Sequence, residues 1–290
     1  MKNYYTALAA ISLLSLKFSR SSLPINATAF VYGNIIKTSL SNRTPTATQT
    51  TAMSGWSGTW KDILNGGNPR WKITCEESHE KAYSHFQRHV LNSNNNDDKK
   101  NVSVLCPLAG DDPFVSLLYK KGYNVTAIDL VPEAIDANRR GFGDDDSAWT
   151  KTESDGDIVW THNSGRATLI AGDALKKRPQ LVNSFDAVYD KDSFGALPRD
   201  LRKPFCERMA DYTKNNAIVY LECKLKKGLE NQEDFAGPPY SLRQVDLMET
   251  NNYGGSKFEY VEKIGPVYDL PGGMNSVMKQ TGHILRRNRA

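Results

Sequence analysis

Val102-Ser-Val-Leu-Cys-Pro-Leu-Ala-Gly-Asp-Asp-Pro113, followed by Asn124-Val-Thr-Ala-Ile-Asp129, is the stretch whose reading decides the fold. A short apolar run, a turn with one glycine, a helix from Pro113 to Lys121 closed by Gly122, a second apolar run and a helix opening on Pro132 spell βαβα. That order implies a parallel sheet with helices on its faces. Toward the N-terminus, Ala82, Tyr83, Phe86, His89 and Val90 are spaced for one face of a helix over Glu76 to Leu91, and a polar loop follows. Toward the C-terminus, Gly141 to Asp157 reads as an acidic, glycine-rich loop. The strand-like runs Ile158 to His162 and Arg166 to Ala171 then flank a hairpin turn at Asn163-Ser164-Gly165. Strands are expected at Phe185 to Asp190, Ala217 to Cys223, Phe258 to Ile264 and Lys279 to Arg286, and helices at Asp200 to Tyr212 and Ser241 to Glu249. The expected fold is α/β, one domain over residues 55–290.

Ligands of an open parallel sheet bind beyond the carboxyl ends of its strands, which makes the loop after the first strand the first place to look. A diphosphate needs bare backbone at a helix N-terminus, and G-x-G-x-x-G and the P-loop pattern are both absent. Gly110 beside Asp111 and Asp112 opposes phosphate charge but suits a cationic or zwitterionic ligand. Asp129, ending the second strand, can accept hydrogen bonds from two ribose hydroxyls. Ribose without pyrophosphate, plus an amino-acid tail, describes S-adenosylmethionine; a helix cap at Asp129 and a plain tight turn at Gly110 fit the spacing equally. Gly172-Asp173 offers backbone and carboxylate to an adenine ring, or is a turn. Asp190-Lys191-Asp192-Ser193-Phe194 places further polar groups at the same sheet edge, with Asp190 a candidate cofactor ligand.

Together these segments resemble the thiopurine S-methyltransferase family, with its thiol and halide methyltransferase relatives. The resemblance runs from Trp56-Ser-Gly-Thr-Trp60 and Gly67-Asn-Pro-Arg-Trp71 through Val104 to Gly110, Ala127 to Asp129, Gly172-Asp173, Phe185 to Asp190, Ala196 to Arg202 and Gly237-Pro-Pro-Tyr240. It implies the class I S-adenosylmethionine-dependent methyltransferase fold, Rossmann-like and mostly parallel, with S-adenosylmethionine as cofactor. By the same resemblance Trp56, Trp60 and Trp71 wall the cofactor, Leu108 and Gly110 line its methionine end, Asp129 holds the ribose, and Gly172 and Asp173 meet the adenine. Arg202 then lies near the acceptor pocket, which Pro238-Pro239-Tyr240 shape. Core packing is the other reading of the three tryptophans. Two departures stand out: Ala109 where the family usually has Cys, and Lys72 where it commonly has an acid.

Methyl transfer from a sulfonium removes a positive charge, and a thiol needs little help from a base, so orientation carries most of the catalysis. Asp192 is the candidate proton acceptor and Arg202 the candidate stabiliser of an anionic acceptor, unless both serve a structural ion pair. A small-molecule thiol acceptor is expected. A halide acceptor, or a binding protein that has lost turnover, is the alternative, and a nicotinamide enzyme is disfavoured by the missing glycines.

The chain of 290 residues carries 37 Lys+Arg against 33 Asp+Glu, a net charge of +4. Lys2, Lys17, Arg20, Lys37 and Arg43 precede Asp62, the first carboxylate, so the excess belongs to the leader and the body gives no reason to expect nucleic acid. Residues 1–29 read as a signal peptide ending at Ala27-Thr28-Ala29, and residues 30–54, rich in Ser and Thr, as a transit peptide. This tandem order resembles the bipartite leader of complex plastids, with Phe30 at the junction; secretion or the endomembrane system is the alternative, and no membrane insertion is expected after the leader is removed. A monomer is expected. Cys75, Cys106, Cys206 and Cys223 form no C-x-x-C pair and read as free buried thiols, and His85 and His89 as an ordinary helix face rather than a metal site.

Overall fold

The computed structural model describes residues 75–94, 99–228, 238–253, 257–270 and 274–289, with Gly58, Asp62, Ile63 and Asn65 besides. These belong to one compact unit, Pro45–Ala290. The leader, Trp56, Trp60, Trp71, Lys72 and Gly237 lie outside the described residues.

In chain order the elements are α1 (Glu76–Asn94), β1 (Ser103–Pro107), α2 (Pro113–Lys120), β2 (Asn124–Asp129), α3 (Pro132–Arg140), β3 (Trp149–Ser154), β4 (Asp157–His162) and β5 (Ala167–Ala171). There follow β6 (Phe185–Lys191), α4 (Ser193–Ala196), α5 (Arg199–Tyr212), β7 (Thr213–Lys226), α6 (Gln244–Leu247), β8 (Phe258–Pro266) and β9 (Met278–Arg287). The strands form one sheet in the order β3-β4-β5-β2-β1-β6-β7-β9-β8. From β5 to β7 all neighbours are parallel. The chain progresses one way from β1 to β2 and β5 and the other way from β6 to β7, so the order reverses between β1 and β6. A crevice beyond the carboxyl ends of those two strands is where such a sheet takes its ligand.

Both faces are covered. On one, α1 and α2 pack through a slab of rings: Phe86 meets Phe114, Tyr123, Tyr189 and Tyr220 edge-on at 5.7–6.3 Å, and Tyr189 stacks on Phe114 at 4.0 Å. On the other, Phe194, Phe205, Met209, Leu242, Leu247 and Tyr253 close over β6 and β7. Burial on both sides explains the apolar run Ala217 to Leu221 in β7.

Three expectations are corrected. The segment expected as loop contains β3, paired antiparallel with β4. Its turn, Asp155-Gly156, has both residues at positive φ (52° and 79°), the geometry that an Asp-Gly pair favours in a two-residue hairpin. The helix expected over Ser241 to Glu249 shrinks to α6, because Val245 and Met248 face solvent and only one short turn packs. Cys75 is exposed, while Cys106, Cys206 and Cys223 are the buried free thiols.

Candidate active site

The site begins with two residues in a left-handed conformation. Leu108 (φ 44°) and Gly110 (φ 53°) turn the chain sharply out of β1. For leucine that backbone costs about 1–2 kcal/mol, strain of the kind that clusters where a loop must present itself to a ligand. Gly110 is held on both sides: its N–H donates to Asp129 Oδ2 at 2.8 Å, and its carbonyl accepts from the Asn138 amide at 3.2 Å. The other Asp129 oxygen accepts from the Val131 N–H at 3.0 Å. Burial pushes the Asp129 carboxyl up, against the pull of the Val131, Gly110 and Leu130 N–H groups. A carboxylate has about four acceptor positions, so these three backbone donors leave one for a hydroxyl.

Beside this turn lies a cleft lined by Cys106, Pro107, Ala109, Asp112, Val115, Tyr189, Lys191 and Ser193. It sits between the ends of β1 and β6, at the reversal of strand order. Asp112 caps α2 by accepting from the Phe114 N–H at 2.9 Å, and its second oxygen lies 3.3 Å from the Lys191 ammonium. Ser193 donates to the Pro107 carbonyl at 2.6 Å and ties the β6 loop to the β1 loop.

Behind Lys191 is a buried polar network. Glu222 accepts from Tyr220 at 3.0 Å, Tyr268 at 2.6 Å and the Gln280 amide at 3.3 Å. The same Gln280 nitrogen reaches Asp192 Oδ1 at 3.3 Å, and Lys224 pairs with Asp192 Oδ2 at 3.2 Å and donates to Gln280 Oε1. Burial pushes the Glu222 carboxyl up to about 7, although Tyr268 and Lys191 pull it down. Burial opposes the charge on Lys191, but Asp112, Asp192 and Glu222 outweigh it and hold the ammonium above the usual lysine range.

The residues singled out in the sequence divide accordingly. Leu108, Gly110 and Asp129 come together at one side of the cleft, and Asp192 stands beside Ser193 at the other. Asp192 and Arg202 do not pair with each other: Arg202 is buried, donates to the Leu197 carbonyl at 3.2 Å and lies 5.4 Å from the ring centres of both Phe194 and Tyr240. It braces the wall formed by α4 and Tyr240, whose N–H donates to the Gly195 carbonyl at 2.7 Å. Asp190 faces the opposite side of the sheet from the cleft. Its oxygens accept from the Phe194 N–H at 3.1 Å and the Tyr253 hydroxyl at 2.9 Å, and burial pushes it to about 7. Gly172 donates to the Asp129 carbonyl at 2.8 Å, next to the cofactor side, and Asp173 accepts from the Leu175 N–H at 2.9 Å. Lys191, Glu222, Lys224, Tyr268 and Gln280 received no role from the sequence. One signal was present: Glu222 is a lone carboxylate inside the apolar run Ala217 to Cys223.

Several solved structures share the architecture. That of the Burkholderia thailandensis 1,6-didemethyltoxoflavin-N1-methyltransferase with bound 1,6-didemethyltoxoflavin and S-adenosylhomocysteine aligns with TM-score 0.57 at 14% identity, covering 85% of this chain and 93% of that one. The [4+2]-cyclase SpnF aligns with TM-score 0.53 at 14% identity over 85% and 98%. At such identity the likeness is one of fold, and a cyclase among the matches underlines that the fold alone names no reaction. In sequence, the thiopurine S-methyltransferase of Legionella pneumophila (strain Philadelphia 1) is 29% identical over 145 residues, 50% of this chain. The alignment spans 61% of that relative's length. The thiopurine S-methyltransferase of Francisella tularensis subsp. novicida is 25% identical over 199 residues, 65% of this chain and 76% of its own. The family model for thiopurine S-methyltransferase matches residues 66–269, which takes in the β1 turn, Asp129, the cleft and the Pro238-Pro239-Tyr240 wall alike. The chain belongs to the thiopurine S-methyltransferase family.

Proposed function

We propose that this chain is an S-adenosylmethionine-dependent methyltransferase whose acceptor is a small soft nucleophile, the sulfur of a thiol. The observation that carries the reading is Asp129 gripping the Gly110 N–H at the edge of a cleft set at the strand-order reversal. The residues fit the cofactor by their chemistry: a turn with two left-handed residues exposes backbone, Asp111 suits a cation, and Asp129 keeps an acceptor position for a ribose hydroxyl. When bound, the cofactor supplies an electrophilic methyl group.

The chain's own residues do the rest. Leu108 and Gly110 shape the methionine end, and Ser193 and Lys191 form the facing wall. A thiol is partly ionised near neutral pH, so Asp192 needs only to take up its proton, while Lys191 favours the thiolate. Arg202 works at a distance, by bracing the Phe194 and Tyr240 wall. Alignment of nucleophile and methyl in a dry cleft supplies the main rate enhancement. The Lys191 ammonium also suits a halide, the second reading.

Isothermal titration of the purified protein with S-adenosylhomocysteine, then methyl transfer to thiophenol and to iodide with headspace detection, tests both levels. Absence of S-adenosylhomocysteine binding overturns the cofactor reading, and turnover of iodide alone overturns the thiol. The acid-free leader supports plastid delivery through a bipartite address, which fluorescence from residues 1–54 fused to a reporter checks. We expect a monomer, which light scattering on eluted protein measures.

A further inference from the structure

The β3–β4 hairpin extends the sheet beyond β5, away from the cleft, and most of β3 is exposed. Its one buried charge is Asp157, the first residue of β4. Asp157 receives Arg178, which is 2% exposed, in a two-pronged pair: Nε to Oδ2 at 2.8 Å and Nη2 to Oδ1 at 3.0 Å. The remaining guanidinium nitrogen is spent on the loop after β5, donating to the Asp173 carbonyl at 2.9 Å and the Lys176 carbonyl at 3.2 Å. Lys176 in turn reaches back to the hairpin, 3.4 Å from Asp157 Oδ2 and onto the Asp155 carbonyl. Tyr212 adds a strut from α5, accepting from the Arg178 N–H at 2.9 Å and donating to the Lys176 carbonyl at 2.8 Å.

The loop so held starts at Gly172, whose N–H sits on the Asp129 carbonyl. A Cβ on Gly172 would stand 2.2 Å from Asp157 Oδ1 and 2.7 Å from Arg178 Nη2. The ion pair therefore requires a glycine here. Segment 172–178 has no regular secondary structure, and its path depends on these side chains. A buried ion pair adds little net stability over an apolar pair of the same volume, so what this one supplies is geometry.

We infer that Asp157 and Arg178 are positioning residues for the adenosine end of the cofactor site: the added hairpin fixes the Gly172–Asp173 loop against Asp129. This rests on the S-adenosylmethionine reading. The pair touches no ligand itself; it sets where the loop backbone stands relative to the carboxylate that takes the ribose.

The test is titration of the full chain with S-adenosylhomocysteine and with 5′-methylthioadenosine, which lacks the amino-acid tail. Asp157→Asn and Arg178→Lys are expected to weaken both ligands by the same factor, about tenfold, and to raise the KM for S-adenosylmethionine more than they lower kcat with thiophenol. Lys176→Met, which removes only the outer tie of a partly exposed side chain, is expected to weaken both about threefold. Lys151→Ala, on the exposed face of the same hairpin, is expected to change neither. If the first two variants fail to fold, Lys176→Met decides. Wild-type affinity in a folded Asp157→Asn or in Lys176→Met overturns the inference, as does loss of S-adenosylhomocysteine affinity with 5′-methylthioadenosine binding intact. A wild type that binds neither ligand overturns the cofactor reading and this inference together.

Discussion

The two sides of the cleft are built by different means. The side formed by β1, β2 and β5 is mostly backbone: the Gly110, Val131 and Gly172 N–H groups settle on one aspartate, and every participant lies at or next to a strand end. The side formed by β6, β7 and β9 is side chains: Lys191, Asp192, Glu222, Lys224 and Gln280 come from three strands and the loop after β6, and close a network with Tyr268. The first arrangement suits a ligand part that never varies, because backbone cannot be exchanged by substitution. The second can change with single residues, as the side proposed to meet the acceptor would.

The sharpest way to break this contrast is Lys191→Met. It strands Asp112 and removes the cation facing Glu222, so a loss of about 3–5 kcal/mol in urea unfolding is expected; a loss under about 1 kcal/mol means the network does not depend on that charge. Asp129→Ala leaves the Gly110 and Val131 N–H groups unpaired and is expected to cost about 1–3 kcal/mol. It should also cost at least about a hundredfold in S-adenosylhomocysteine affinity, since the ribose loses a charged acceptor. Stability lost with affinity retained would assign Asp129 to the turn alone.

Acidity separates the two sides next. Glu222 is raised from 4.5 to about 7 and Asp190 from 3.8 to about 7, mainly by burial. Between those values the native state binds more protons than the unfolded chain, so stability present in acid is lost as pH rises toward 7. The urea midpoint is expected to fall from pH 5 to pH 8, and to fall less steeply in Glu222→Gln; an unchanged slope would mean Glu222 is ionised throughout. The smallest effect is expected at Gly110→Ala, where positive φ costs about 1–2 kcal/mol, and a cost near zero would show that the turn is not held left-handed.

How much was legible follows the same division. Gly110 and Asp129 could be read because their roles follow from position at strand ends, and strand ends follow from local apolar runs. The β3–β4 hairpin was missed because the acids and glycines of 141–157 outweighed Asp155-Gly156, a turn signal already present. Asp190 was read as a cofactor ligand because it ends a strand; alternation along β6 instead turns it to the far face, where Tyr253, 63 residues on, receives it. Gly172 was assigned to the adenine, whereas its bare Cα also makes room for Asp157 and Arg178.

The amino-acid sequence by itself determined the alternation of strands and helices, and with it the parallel sheet, the turn after β1 and the carboxylate at the end of β2, since hydrophobic period and turn residues act over a few positions. Only the tertiary structure decided which charges share a buried space: Lys191 with Asp112, Glu222 with Gln280 and Tyr268, Arg178 with Asp157. Those partners lie from 21 to 79 residues apart. No local pattern specifies them, because a buried charge is stable only beside a partner that the fold brings to it.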